Sequence, residues 1–185
     1  MTEPVQATAQ APVRATARFM WPHPAHWIAL GFGSGLSPKA PGTVGTLWAW
    51  ASWWVIHPWL NDMGWMALLV GGTAVGWWAC TVTARNLNTP DPGAIVWDEI
   101  LAFWLMLWLI APAGWLAQLI AFALFRFFDA VKPGPVRWAD QLFKGERGAP
   151  VSWAQGFGIM LDDFVAAGCA LLCIALWRAI TVWIA

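Results

Sequence analysis

The sequence predicts an all-α fold of the membrane type. It reads as a polytopic bundle of about three to five membrane-embedded helices, with the chemistry carried by loops on the cytoplasmic face. Three observations predict this. Of 185 residues, 59% are hydrophobic and 11% charged, where a soluble domain carries about 25% charge. Eighteen Trp and no Tyr suit a chain rich in membrane–water interface. The ten acidic residues include two pairs at the edges of apolar segments, Asp98-Glu99 and Asp162-Asp163, where a carboxylate is costly unless it binds something.

The elements follow in order. Residues 1–25 begin in an Ala/Pro/Thr-rich stretch and read as a disordered tail. No apolar segment with a small-residue cleavage site follows Arg14 and Arg18, so no signal peptide is expected. Residues 26–185 read as one membrane-embedded domain. Residues 44–60 are apolar and about long enough to cross a bilayer. Asn61-Asp62-Met63-Gly64 signals a turn, and residues 65–84 form a second span. Residues 85–93 are polar, and Pro90 and Pro92 exclude helix there. The apolar stretch 95–128 is broken at Ala111-Pro112-Ala113-Gly114 into two helices, 99–110 and 115–128. Each is short for a crossing, so they form either a re-entrant hairpin or two tilted helices buried in protein. Residues 132–155 are the longest polar stretch. Residues 164–185 are the last span, with Arg178 snorkelling to the far interface. Cys80, Cys169 and Cys173 form no CxxC and read as buried apolar fillers.

Charge sets the topology. If each hairpin returns, Arg14, Arg18, Lys39, Arg85, Lys132, Arg137, Lys144 and Arg147 share one face. The turns at 61–64 and 111–114 hold no Lys or Arg. The positive-inside rule puts the charged face in the cytoplasm, and the same arrangement gathers the acidic pairs on one side. The net charge of zero argues against nucleic acid as a partner.

Four constellations could do chemistry. The stretch 31–46 holds five glycines, two prolines and four hydroxyls. It is either a plain connector or a loop that offers N–H groups, hydroxyls such as Thr43 and the Lys39 ammonium to an anion at a helix N-terminus. Asp98-Glu99, preceded by Asp91, opens an apolar helix. The helix dipole accounts for one acid well and for two less well. Arg126, Asp129 and Lys132 are spaced by three and share a helical face. They form either an exposed ion-pair ladder or a phosphate clamp at the mouth of an apolar segment, and Phe125, Phe127 and Phe128 disfavour plain exposure. Asp162-Asp163 follows Gly156-Phe-Gly-Ile-Met-Leu. Neighbouring carboxylates repel unless a proton or cation relieves them, and hard oxygen ligands suit Mg2+. His23, His26 and His57 lie beside no carboxylate pair, which argues against a histidine nucleophile or a His-rich zinc site. Asp-x-Asp-x-Thr, the mark of one aspartyl-phosphate chemistry, does not occur. Metal-assisted hydrolysis is what remains.

Four motifs in order complete the picture: Gly-Ser-Gly-Leu-Ser-Pro-Lys-Ala-Pro-Gly-Thr-Val-Gly-Thr, Ile-Val-Trp-Asp-Glu, Phe-Arg-Phe-Phe-Asp-Ala-Val-Lys-Pro and Gly-Ile-Met-Leu-Asp-Asp. Over about residues 26–175 the chain resembles the phosphatidylglycerophosphatase A family. The resemblance implies a bacterial inner-membrane, Mg2+-dependent enzyme that removes the terminal phosphate of phosphatidylglycerophosphate. The family's acidic positions fall on Asp91, Asp98, Glu99, Asp129, Asp162 and Asp163, and its basic ones on Lys39, Arg126, Lys132 and Arg137. The expected ligands are Glu99, Asp129, Asp162 and Asp163, with Asp98 as ligand or general base. Lys39, Arg126 and Lys132 are the expected phosphate clamps. The chain departs from the family where a short Gly-Gly stretch is loosened to Gln155-Gly156-Phe157-Gly158. Alternatives are a phosphatase for another lipid or isoprenoid phosphate, or a small ion or metal transporter using its intramembrane acids.

Overall fold

A computed structural model describes residues 11–144 and 150–184. Among them every regular element is helical: α1 (Ala17–Met20), α2 (Pro24–Ala29), α3 (Pro41–Ile56), α4 (Asp62–Asn86), α5 (Trp97–Ile110), α6 (Trp115–Val131), α7 (Pro135–Leu142) and α8 (Trp153–Ile184), with 3₁₀ turns at Gly31–Leu36 and His57–Trp59. Residues 1–10 of the expected tail, and Arg147 of the expected basic face, lie outside the described residues. The rest of that tail is partly structured. Thr16 Oγ1 accepts the Phe19 N–H at 3.2 Å and caps α1, and the Val13 N–H reaches the Leu87 carbonyl at 2.9 Å.

Local chemistry sets the other boundaries. Pro41 opens α3, a first-turn position that tolerates a missing N–H, so the helix begins before residue 44. Asn61 Oδ1 accepts the Gly64 N–H at 2.8 Å, so the expected turn is the N-cap of α4. Lys132 closes α6 in the left-handed region, with φ 48°, and Pro133 follows. The polar stretch after it contains α7, which was not expected. The largest difference is α8. It starts at Trp153 and runs unbroken through the segment read as loop, so Asp162 and Asp163 lie inside a helix rather than at its start.

α5 is the axis of the bundle. Ile100, Leu101, Ala102, Phe103, Met106 and Leu107 are all buried, with α3, α4, α6 and α8 packed round them. α8 also packs α7. Four of the tryptophans, Trp53, Trp65, Trp97 and Trp104, are buried rather than interfacial. The indoles of Trp97 and Trp104 donate to the Gly72 and Ala49 carbonyls at 3.0 and 2.9 Å, tying α5 to α4 and α3. Cys80 is buried as expected, whereas Cys173 is exposed on α8.

The helices alternate in direction. At one end Trp108 Nε1 donates to Asp62 Oδ1 at 3.0 Å, and Trp54 stacks on Trp115. At the other, the Arg85 Nε–H donates to the Val151 carbonyl at 2.6 Å, and α6 meets α8 through Lys132 and Asp162. Both acidic pairs lie at this second end. α4 and α8 are long and apolar enough to cross a membrane. Val70 and Val75 on α4, Leu116 and Leu119 on α6, and Leu172 and Leu176 on α8 face outward, an exterior suited to hydrocarbon.

Candidate active site

Two helices bring three carboxylates together. The first turn of α5 presents Asp98 and Glu99, and α8 presents Asp163 from its interior. One oxygen from each lies within 4.8 Å of the others, and all three residues are buried. Asp98 Oδ1 accepts the Glu99 N–H at 3.0 Å, as an acid at a helix start does. No such account serves Asp163, which lies far from either end of α8. Glu99 Oε2 is buried with no hydrogen-bond partner, a costly state for a carboxylate oxygen. Three buried carboxylates at this separation repel unless a cation or protons relieve them. Convergent hard oxygens with one orphaned lone-pair donor fit a divalent ion such as Mg2+.

Arg126 flanks the cluster. Its Nη1 lies 2.6 Å from Asp129 Oδ2 and 3.7 Å from Glu99 Oε1, and donates to Thr46 Oγ1 at 3.4 Å. The spacing of three between Arg126 and Asp129 thus makes a contact on α6. The first turn of α3 lies directly over this group. A Cβ on Gly42 would strike Glu99 Oε1 and come within 3.2 Å of both Arg126 Nη atoms, so any side chain there would displace the Glu99 carboxylate from its present position. Ala40, with φ 46°, makes no side-chain cap, and Pro41 has no N–H. The Gly42 and Thr43 N–H groups therefore stand open at a helix N-terminus, next to a guanidinium.

A second chain of charges runs alongside. Lys132 Nζ lies 2.5 Å from Asp162 Oδ2 and 2.6 Å from Asp140 Oδ1, and Lys144 pairs with Asp140. Burial works against the Lys132 ammonium, but its two carboxylate partners outweigh it and hold it well above the ordinary lysine range. Burial likewise opposes the charge on Asp140, yet Lys132 and Lys144 keep it below the usual carboxylate range. Beside this chain a cavity of about 280 Å3 is lined by Asp91, Asp140, Lys144, Gln155, Asp162 and neighbouring apolar groups.

The expected site residues thus divide. Asp98, Glu99 and Asp163 converge, with Asp129 and Arg126 against them and Thr43 on the turn above. Asp162 and Lys132 pair with each other, one residue along α8 from the cluster. Asp91 lines the cavity. Lys39 and Arg137 are exposed, and neither makes an ion pair among the described residues. The sequence reading missed Asp140, Thr46 and Gln155. Asp140 had one signal, a Lys four residues on.

The profile of the family described as phosphatidylglycerophosphatase A matches residues 27–178. The chain is 36% identical to Escherichia coli (strain K12) phosphatidylglycerophosphatase A over 154 residues, 82% of each chain. It is 37% identical to the Haemophilus influenzae protein of the same name over 145 residues, 78% of this chain and 83% of the relative. It is 39% identical over 162 residues, 82% of this chain and 91% of the relative, to a Bacteroides thetaiotaomicron protein provisionally named phosphatidylinositol-3-phosphatase. No solved structure matches the chain. The matched span contains both carboxylate pairs and the arginine beside them, and the chain belongs to the phosphatidylglycerophosphatase A family of phosphatases.

Proposed function

We propose that this protein hydrolyses the terminal phosphate of phosphatidylglycerophosphate, in a Mg2+-dependent reaction at the cytoplasmic face of the bacterial inner membrane, giving phosphatidylglycerol for phospholipid biosynthesis. The observation that carries the reading is the convergence of Asp98, Glu99 and Asp163 within 4.8 Å, with the Arg126 guanidinium against them. Glu99 and Asp163 would hold the metal, Asp98 being a further ligand or the proton acceptor, with Asp129 and Asp162 completing the acidic surround. A bound Mg2+ supplies charge neutralisation at phosphoryl oxygens and lowers the pKa of bound water.

The chain's own groups do the rest. Arg126, fixed by Asp129 and Glu99, and the open N–H groups of Gly42 and Thr43 hold the non-bridging phosphate oxygens. Lys132, fixed between Asp162 and Asp140, adds positive charge at the same end of the bundle. Lys39 and Arg137, on exposed ground, draw the anionic headgroup in. Asp98 Oδ2, the oxygen not engaged by the Glu99 N–H, takes the proton of the attacking water. The new bond runs from the water oxygen to phosphorus, the ester bond to the glycerol oxygen breaks, solvent water protonates the leaving oxygen, and Asp98 returns its proton to solvent. Phosphoryl transfer of this kind needs positioning and charge more than covalent help.

The membrane side follows from charge. Lys39, Arg85, Lys132, Arg137 and Lys144 belong to the site-bearing end, whereas the turns at 61–64 and 111–114 carry no Lys or Arg, which favours a cytoplasmic site.

Purified protein in detergent should release phosphate from phosphatidylglycerophosphate with Mg2+ and stop with excess chelator. Asp163→Asn and Glu99→Gln should each lower turnover by about a hundredfold or more while the protein still partitions into membranes. Full activity in chelator sinks the metal assignment. The relative provisionally named a phosphatidylinositol-3-phosphatase motivates a second reading, another lipid phosphate at the same site. A higher kcat/KM on phosphatidylinositol 3-phosphate than on phosphatidylglycerophosphate would favour it.

A further inference from the structure

α3 and α6 meet along one row of side chains. Thr46, Trp50 and Trp54 recur at a spacing of four and share a face of α3. Trp54 stacks on Trp115, and Trp50 on Phe122. The third rung, at the site end, is Thr46 against Arg126. A small hydroxyl stands there in place of an indole, and the guanidinium takes up the room.

The chemistry of that rung has a direction. Thr46 is fully buried, and its hydroxyl donates to the Gly42 carbonyl at 2.8 Å. A hydroxyl has a single proton, so Thr46 Oγ1 is left with lone pairs alone. A guanidinium offers only donors, and Arg126 Nη1 reaches this oxygen at 3.4 Å. Thr73 and Thr81 also return their hydroxyls to the preceding turn, a common habit of helical threonine. The Gly42 bond alone therefore marks nothing. Thr46 is set apart by its second contact, with a charged group. That contact, like those with Asp129 and Glu99, falls on Nη1. Nη2 lies beside the first turn of α3, 3.1 Å from the place a Gly42 Cβ would take, and so faces the open N-terminus of that helix.

We propose that Thr46 is a positioning residue for phosphate transfer. Its one oxygen ties the Arg126 guanidinium to the first turn of α3, so that the two phosphate-holding elements face the substrate in a fixed register. Thr46 itself touches no substrate and acts through Arg126. The inference rests on the phosphatase reading above.

The test uses the full chain in mixed micelles with phosphatidylglycerophosphate and Mg2+. Thr46→Val removes the oxygen, and Thr46→Ser keeps it. Thr46→Val should lower kcat/KM about five- to tenfold, the loss expected for one hydrogen bond, while Thr46→Ser stays within about twofold of wild type. Inorganic phosphate, the competing product, should inhibit Thr46→Val more weakly by a similar factor. The Mg2+ concentration that gives half the maximal rate should not move, because the carboxylate cluster is left intact. Should valine not be accommodated, Thr46→Ala gives the same readings. Wild-type kcat/KM in the variant without the oxygen overturns the inference. So does slower turnover with unchanged inhibition by phosphate, which is what a merely structural threonine predicts. An equal loss in Thr46→Ser overturns it too. These outcomes, seen against an active wild type, leave the phosphatase reading standing. Wild-type protein that releases no phosphate from the lipid overturns that reading, and this inference with it.

Discussion

At Gly156 the α8 backbone runs so close to α4 that a Cβ would land on Thr81 Oγ1. Thr81 is itself fixed, its hydroxyl donating to the Trp77 carbonyl at 2.7 Å. Gly156→Ala should therefore destabilise the protein by about 1–3 kcal/mol, the usual cost of overpacking. Thermal unfolding in detergent measures this, and adding Thr81→Ala should recover part of the loss. Asp140 makes a prediction of opposite character. Lys132 and Lys144 hold its carboxyl below the usual range, so its stabilising contribution is complete above the unfolded-state pKa of about 3.9 and is lost as pH falls through the lower folded value. The difference in thermal midpoint between wild type and Asp140→Asn should be present at neutral pH and close below about pH 4. Residue by residue, the sequence revealed the acids that come in pairs or in an Arg-x-x-Asp step, because those spacings are local. It did not reveal Asp140 or Gln155. Asp140 finds Lys132 only because the chain turns at Pro133-Gly134, and Gln155 finds its cavity only because α7 folds back on α8. Neither fact is written in the residues alongside.

Among the elements, α3 to α6 were legible because an uninterrupted apolar run of the right length is itself the signal. α7 and the beginning of α8 were not. Gly156 and Gly158 resemble loop glycines in sequence, yet they are packing positions, Gly158 against Phe143 as Gly156 is against Thr81. Gln155 looked like loop polarity and is a cap with a spare donor. The error had consequences for the site. A pair of acids at a helix start has a dipole explanation, and a pair in a helix interior has none. The helical assignment is testable in its own right. Gly158→Pro should break α8 just before Asp162, remove an interior hydrogen bond and cost about 3 kcal/mol or more. A proline there that leaves stability and activity intact would mean the segment is a loop after all.

Over the whole molecule, the bundle turns an apolar exterior outward and gathers its carboxylates at one end. Membranes containing the protein should retain it through alkaline carbonate washing, and release into the wash would contradict the bilayer reading. α8 is about 48 Å long at 1.5 Å per residue, against a hydrocarbon thickness of about 30 Å. Its first third, which carries Asp162 and Asp163, therefore has room to stand at headgroup depth while the remainder crosses. On the proposed reading, enzyme and lipid substrate would meet by sliding within one sheet, and the water outside would not be the reaction volume. Diluting the substrate lipid with inert lipid, at constant total substrate, should slow catalysis, whereas diluting the whole suspension with buffer should leave the rate per enzyme unchanged.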